Sequence, residues 1–149
     1  MTNRMSQSTS ALMAIALSIG SAACFAADPP DIAYKLHCSG CHLSDGMGST
    51  VGQIPQIPGL AGHFLKHPKG RLYLSHVPGV VNSGLPSEKL APLLNYVLET
   101  YGANEVPAKW ERFTGPELDE LGKIKIDDIS LLRKEIAADL AKQGIDLKY

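Results

Sequence analysis

One short segment, Cys38-Ser39-Gly40-Cys41-His42, restricts what this chain can be more than any other part of it. Two thiols separated by two residues can add to the two vinyl groups along one edge of a porphyrin. A histidine directly after the second thiol can then bind the porphyrin iron as its proximal ligand. The C-x-x-C-H form therefore predicts one covalent haem c with its iron, held by Cys38 and Cys41 and ligated by His42.

Two other kinds of site use some of the same residues. A thioredoxin-like redox pair lies at a strand-to-helix turn within a βαβ unit, and residues 31–37 show no strand alternation. A zinc site is suggested by His63 and His67, which have H-x3-H spacing. The gap from Cys41 to His63 is much longer than in zinc fingers, and Pro and Gly interrupt it. Haem attachment is therefore favoured over both alternatives.

The N-terminus has the pattern of an export signal. Arg4 supplies positive charge, Ala11 to Ile19 is apolar, and small residues follow at 20–23. The apolar run is shorter than the roughly 20 residues that a membrane span needs. We predict a signal peptide over 1–26, with cleavage after Ala26 and export to the periplasm, where haem is attached covalently.

Cys24 supplies an alternative in which the mature protein is anchored to the membrane by lipid on this cysteine. Ser21, three residues earlier, stands where a lipoprotein signal has a large aliphatic residue. Membrane association is therefore expected only if Cys24 is lipidated. With Cys24 removed, haem would take both remaining cysteines, so no disulfide framework is available.

Length and charge exclude few classes of protein but set the scale. Of 149 residues, about 120 remain after signal removal, which suffices for one domain. Loss of Arg4 would change the formal net charge from −1 to −2. Neither the charge nor the composition indicates a nucleic-acid partner.

Helix signals surround the cysteine motif. Asp28 can cap a helix that has Pro29 at its first position, and Ile32 and Leu36 would share one face of it. The stretch 43–62 is rich in Gly and Pro, and we expect this long loop to wrap around a haem edge.

Further helices are predicted along the middle of the chain. A short one lies around 71–74, and 78–86 is again a loop. A longer one ends at Gly102 and begins at about Glu88, because Pro92 must lie in the first turn or kink the helix. Its apolar face consists of Leu90, Leu93, Leu94, Val97 and Tyr101. No segment has the alternation of a strand, so the fold class is all-α.

This order of elements resembles the class I monohaem cytochromes c over roughly residues 28–102, about half of the chain. The resemblance implies a small haem domain over 27–102, in which Cys38 and Cys41 hold the haem and His42 binds the iron. It also implies that the Pro58 carbonyl accepts a hydrogen bond from the other ring nitrogen of His42. An ordinary turn proline is the alternative for Pro58.

The sixth iron ligand departs from that family, which usually supplies methionine from the loop before its last helix. Here Met47 is the only methionine after Cys41, and it is too close to His42 to reach the opposite face. We predict His76 as the distal iron ligand, followed by His63 and His67. For these last two the alternative is a basic surface shared with Lys66, Lys69 and Arg71 that steers an acidic partner.

Residues 103–149 form an extension beyond the small-cytochrome plan. A capping-box pattern at 114–117 predicts a short helix through about Leu121. Asp127 or Asp128 begins a longer helix that Gly144 ends, with Ile129, Leu132, Ile136 and Leu140 on one face. We expect these helices, anchored by Trp110 and Phe113, to pack on the haem domain. A partner-docking arm is the alternative.

Together these features predict a periplasmic electron-transfer protein that is not an enzyme. Its expected partners are redox proteins, namely a periplasmic dehydrogenase or a terminal oxidase or reductase. Two alternatives remain: a five-coordinate haem sensor of small ligands, and a dedicated electron acceptor of one periplasmic dehydrogenase.

Overall fold

The computed structural model describes residues 28–147, so the predicted signal peptide over 1–26 and Cys24 lie outside the described residues. The described part is mostly helical, as the all-α prediction requires, and its only β-type pairing is a single bridge between Ser49 and Ile54. None of its helices is long and apolar enough to span a membrane. The helices are α1 Pro30–His37, α2 Ser39–His42, α3 Ala61–Phe64, α4 Gly70–His76, α5 Pro78–Val81, α6 Ser87–Tyr101, α7 Gly115–Gly122 and α8 Ile129–Ala141.

Helix α1 begins one residue later than predicted. Pro29 is the N-cap with extended backbone, because a residue before a proline is driven out of the helical region, and Pro30 takes the first helical position. The predicted face that carries Ile32 and Leu36 is exposed to water. Tyr34 is the buried residue of α1, whereas Ile32 and Leu36 are 39% and 66% exposed.

Helix α6 runs through its proline. It begins at Ser87, so Pro92 lies inside the helix and beyond the first turn, where its missing N–H leaves the Glu88 carbonyl without its usual helical donor. The predicted end at Gly102 is confirmed. The side chains that α6 buries are Ala91, Leu93, Leu94, Asn95 and Leu98.

Two one-turn helices were missed in the middle of the chain. α3 lies at the end of the predicted long loop, and α5 lies in the predicted loop 78–86, where Pro78 supplies a fixed φ at the helix start. The predicted helix around 71–74 is confirmed as α4.

The two predicted helices after Gly102 are both confirmed. Thr114 caps α7 by accepting a hydrogen bond from the Glu117 amide at 3.3 Å. Asp128 caps α8 by accepting from the amides of Ser130 and Leu131. These are local side-chain signals, which explains why the sequence was sufficient to find them.

The C-terminal helices complete the apolar core of the helices that precede them. α7 packs against α4 and α6, and α8 packs against α4. Ile136 and Leu140 are fully buried in one cluster with Leu60, Phe64 and Tyr73. Phe113 is buried in a second cluster, against which Trp110 packs. The division of the chain at residue 102 stays a prediction.

Ion pairs connect the region of α4 to the two C-terminal helices. Arg71 of α4 donates two hydrogen bonds to the Glu117 carboxylate at 2.5 Å each, and its guanidinium lies 4.0 Å from the centre of the Phe113 ring. Lys69 pairs with Glu135 at 2.6 Å. Two cations of the predicted basic surface, Lys69 and Arg71, are thus paired with acidic residues of the C-terminal helices, and the steering of an acidic partner stays a prediction.

Candidate haem attachment site

The three residues of the cysteine motif form one tight helical turn at the end of α1. Cys38 ends that helix, and its carbonyl accepts hydrogen bonds from the amides of Cys41 at 3.2 Å and His42 at 2.9 Å. Positions three and four residues apart share a face of such a turn. The C-x-x-C-H spacing therefore brings both thiols and the imidazole to the same side of the chain.

Both thiols are free, with Cys38 partly buried and Cys41 exposed. Burial raises the pKa of the Cys38 thiol above its ordinary value, and the neighbouring Cys41 raises it further. The cysteines of redox dithiol sites have lowered pKa values, since the thiolate is the nucleophile. The environment of Cys38 is thus unlike that of a catalytic dithiol.

His42 is held in one tautomer by a backbone carbonyl. Its Nδ1 lies 3.1 Å from the carbonyl oxygen of Pro55. Because a carbonyl can only accept, Nδ1 carries the hydrogen and Nε2 keeps its lone pair. Burial lowers the pKa of His42, an effect that the Pro55 bond partly opposes. A neutral imidazole with a free Nε2 lone pair is the form that binds a metal ion.

The acceptor for His42 corrects a prediction. The family resemblance assigned this role to Pro58, but the carbonyl that His42 contacts belongs to Pro55. The bridge between Ser49 and Ile54 turns the chain back and leaves Pro55 beside the histidine. Pro58 instead packs toward Gly46, where a Cβ on the glycine would lie 3.2 Å from its Cδ.

Two tyrosines that the sequence analysis did not propose as site residues donate hydrogen bonds to the segment directly after His42. The Tyr34 hydroxyl donates to the Leu43 carbonyl at 2.7 Å, and the Tyr101 hydroxyl donates to the Ser44 carbonyl at 3.0 Å. Tyr101 was predicted only as part of an apolar helix face. The one available signal was Tyr34 itself, an amphipathic side chain one helical turn before Cys38.

His76, the predicted distal ligand, has a carbonyl oxygen close to each ring nitrogen, and a neutral imidazole can donate to only one of them at a time. Nδ1 lies 2.9 Å from the Leu72 carbonyl, and Nε2 lies 3.0 Å from the Ile124 carbonyl. Iron binding through Nε2 requires that the second bond be given up. The ligand role of His76 therefore stays a prediction, and it competes with a structural role at the junction of α4 and the extension.

The other candidate ligands differ in how fully they are engaged. His67 contacts Asp139 through Nε2 at 3.3 Å, and its Nδ1 accepts from the Lys69 amide at 3.1 Å. His63 has Nδ1 within 3.1 Å of the Lys66 ammonium. Burial lowers the pKa of His63, and Lys66 lowers it further.

The zinc alternative finds no support in the described part of the chain. Residues 28–147 contain no group of three or more His, Cys, Asp or Glu side chains arranged to hold a metal ion. Both nitrogens of His67 are committed to α8 and to its own loop.

The residues present fit a covalently attached haem. Two unpaired thiols and a neutral histidine of fixed tautomer lie on one turn, which is the donor set that haem attachment uses. Apolar side chains close to the motif in the chain are exposed to water: Leu36 at 66%, Leu43 at 48% and Met47 at 49%. A large apolar group bound at the motif could cover such side chains. A groove of about 560 Å³ between α6 and α7 lies elsewhere and includes none of the motif residues.

No protein-family model matches this chain, and no curated protein matches it. The resemblance to class I cytochromes c therefore rests on the residues themselves, and the function is argued from the site.

Proposed function

We propose that this chain is a periplasmic electron-transfer protein of the class I cytochrome c type, with one covalent haem c. Cys38 and Cys41 would hold the haem by thioether links, and His42 would be the proximal ligand of its iron. The haem, when bound, supplies a ferrous/ferric couple that stores one electron. The observation that carries this proposal is the His42 ring, whose Nδ1 is bonded to Pro55 while Nε2 stays available on the same turn as both thiols.

The Pro55 carbonyl has a chemical role in this proposal. By accepting a hydrogen bond from Nδ1, it fixes the orientation of the imidazole and makes Nε2 a stronger donor. A stronger histidine donor favours the ferric state and lowers the potential. The absence of a methionine ligand at the usual position acts in the same direction.

Location and partners complete the proposal. The N-terminal pattern supports export with cleavage after Ala26, or a lipid anchor at Cys24 as the alternative. Redox partners would be a periplasmic dehydrogenase or a terminal oxidase or reductase. The carrier itself transforms no substrate, and no nucleic acid is involved.

A five-coordinate haem sensor is the second candidate function, and the hydrogen bonds of His76 favour it. While His76 donates a hydrogen bond from Nε2 to the Ile124 carbonyl, that nitrogen has no lone pair for iron and the residue supplies no sixth ligand. A small molecule such as carbon monoxide could then bind the open side of the iron.

Covalent attachment is tested by expressing the full chain with a cytochrome c maturation system. We expect haem that resists acid–acetone extraction and stays with the polypeptide on a denaturing gel. Cys41→Ala should reduce the holoprotein strongly, whereas Ser39→Ala, a change between the two cysteines, should not. Haem that washes out of the wild-type protein would refute the proposal.

One optical and EPR spectrum of each redox state distinguishes carrier from sensor. A six-coordinate carrier is low-spin in both states and binds carbon monoxide slowly. A high-spin ferrous protein that binds carbon monoxide at once favours the sensor. Mass spectrometry of the mature N-terminus decides between cleavage after Ala26 and lipidation of Cys24.

A further inference from the structure

Two tyrosine hydroxyls donate hydrogen bonds to consecutive carbonyls directly after the turn 38–42 that carries the cysteine motif. Tyr34 from α1 donates to the carbonyl of Leu43 at 2.7 Å, and Tyr101 from the end of α6 donates to that of Ser44 at 3.0 Å. The two rings pack with their centroids 4.8 Å apart. The segment that follows His42 is thereby tied to two helices that lie far apart in the chain.

The backbone at Leu43, whose carbonyl accepts the first of these bonds, has a conformation that is unfavourable for any residue but glycine. Leu43 has φ 62° and ψ 175°, a conformation that glycine populates freely and a branched side chain does not. Such a residue persists only when its surroundings determine its backbone. The hydrogen bonds from the two tyrosines to the carbonyls of Leu43 and Ser44 hold the backbone in this conformation.

Further contacts connect Tyr101 and the loop 43–48 to the backbone of His42. Gly46 has φ +76° and lies so close to the Tyr101 ring that a Cβ would come within 3.1 Å of it. The Gly48 amide then donates to the His42 carbonyl at 3.1 Å, and the Ile57 amide donates to the Gly46 carbonyl at 2.8 Å. The ring contact at Gly46 and these two bonds connect the tyrosines to the backbone on both sides of the His42–Pro55 bond.

We propose that Tyr34 and Tyr101 are positioning residues for His42, which act by fixing the loop 43–48 and through it the bond between His42 and Pro55. The inference rests on the proposed function only in treating His42 as an iron ligand. Burial, with a further contribution from Tyr101, raises the pKa of Tyr34, so its phenol stays a hydrogen-bond donor. The two hydroxyls bond to the carbonyls of Leu43 and Ser44 and not to the His42 ring.

The test removes each hydroxyl alone, by Tyr34→Phe and Tyr101→Phe, in the protein as isolated from the exporting host. We expect the amides of Gly48 and Ile57 to exchange with solvent about tenfold faster in each variant, because local opening of the loop becomes easier. Tyr73→Phe is the matched control. It removes a hydroxyl from a buried tyrosine in the cluster with Leu140, and it should leave both amides at their wild-type rates.

The haem-loaded protein gives a second, independent readout. The exchange rate of the His42 Nδ1 proton and the EPR spectrum of the ferric iron should change in both tyrosine variants and not in Tyr73→Phe. A wild-type protein without covalent haem would overturn the proposed function. Amide exchange at Gly48 and Ile57 would still test whether the tyrosine hydroxyls fix the loop 43–48. The two failures are therefore distinguishable.

A rescue experiment separates positioning from a general loss of stability. Leu43→Gly removes the unfavourable backbone conformation, so in that background Tyr34→Phe should accelerate exchange by a smaller factor than in the wild type. Equal factors in the two backgrounds would contradict the proposal. So would exchange and spectra that are unchanged in both Tyr34→Phe and Tyr101→Phe.

Discussion

Gly62 lies against Gly102 so closely that a Cβ on Gly62 would come within 2.5 Å of the Gly102 carbonyl oxygen. The same Cβ would lie 2.6 Å from the Val106 amide nitrogen. The start of α3 therefore meets the end of α6 through bare backbone. This crossing joins the segment after the attachment loop to the start of the C-terminal extension.

Gly62→Ala should destabilise the protein by about 1 to 3 kcal/mol, because backbone on both sides must move to admit the methyl group. Urea denaturation measures the change in the free energy of unfolding. Gly122→Ala is the control, since a Cβ at Gly122 meets nothing within 4 Å. The same loss in both variants would show that close packing at Gly62 is not the cause.

Leu140→Ala tests whether α8 belongs to the core or is a separate docking arm. Leu140 is fully buried with Leu60 and Phe64, so we expect a loss of about 2 to 5 kcal/mol in the free energy of unfolding. Leu131→Ala, on the exposed side of α8, should change it by less than about 0.5 kcal/mol. Leu140→Ala with wild-type stability and weakened binding of a redox partner would instead support the docking arm.

His76→Ala compares the two roles of this histidine. Loss of the hydrogen bond that the ring donates to the Leu72 or Ile124 carbonyl should lower stability by about 0.5 to 1.5 kcal/mol. If this structural role is the one that His76 has in the wild type, the variant should keep the wild-type spin state of the iron. A change to high-spin iron in this variant, with His63→Ala still at the wild-type spin state, would establish His76 as the distal ligand.

Asp139 should make part of the stability depend on pH. A hydrogen bond from Lys142, followed by one from His67, lowers the pKa of this carboxyl below its usual value. An acid with a lowered pKa in the folded state stabilises that state above its unfolded pKa, and the contribution is lost as the pH falls through the folded value. Asp139→Asn should therefore flatten the pH profile in the acid range, as urea denaturation between pH 3 and 7 can measure. Glu120→Gln, which removes an exposed pair between α7 and its C-cap Lys123, serves as the control and should not flatten it.

Helix ends were readable from the sequence wherever the signal was local. Thr114 and Asp128 cap their helices through amides two or three residues away, and Gly102 stops α6 at its own position. The start of α1 was misplaced by one residue, although the pairing of Pro29 with Pro30 contained the reason. Pro30 drives Pro29 out of the helical region, so the helix begins after it.

The parts that the sequence did not predict depend on contacts between distant residues. Whether Pro55 or Pro58 faces His42 is decided by the turn that pairs Ser49 with Ile54, and both prolines stand in similar local contexts. The partner of Arg71 is Glu117, 46 positions away. Residue types showed which groups could react, whereas only the fold shows which carbonyl or carboxylate each of them meets.

The burial of Leu140 has a consequence for the order in which the chain would mature if it is exported as proposed. Cys38 precedes Ile136 and Leu140, which close the cluster with Phe64 and Tyr73 and come late in the sequence. In a chain exported from its N-terminus, that cluster would close only after most of the chain had crossed the membrane. During that interval the two thiols would belong to an incompletely packed chain, which would give a haem-attachment machinery time to act before the fold is complete.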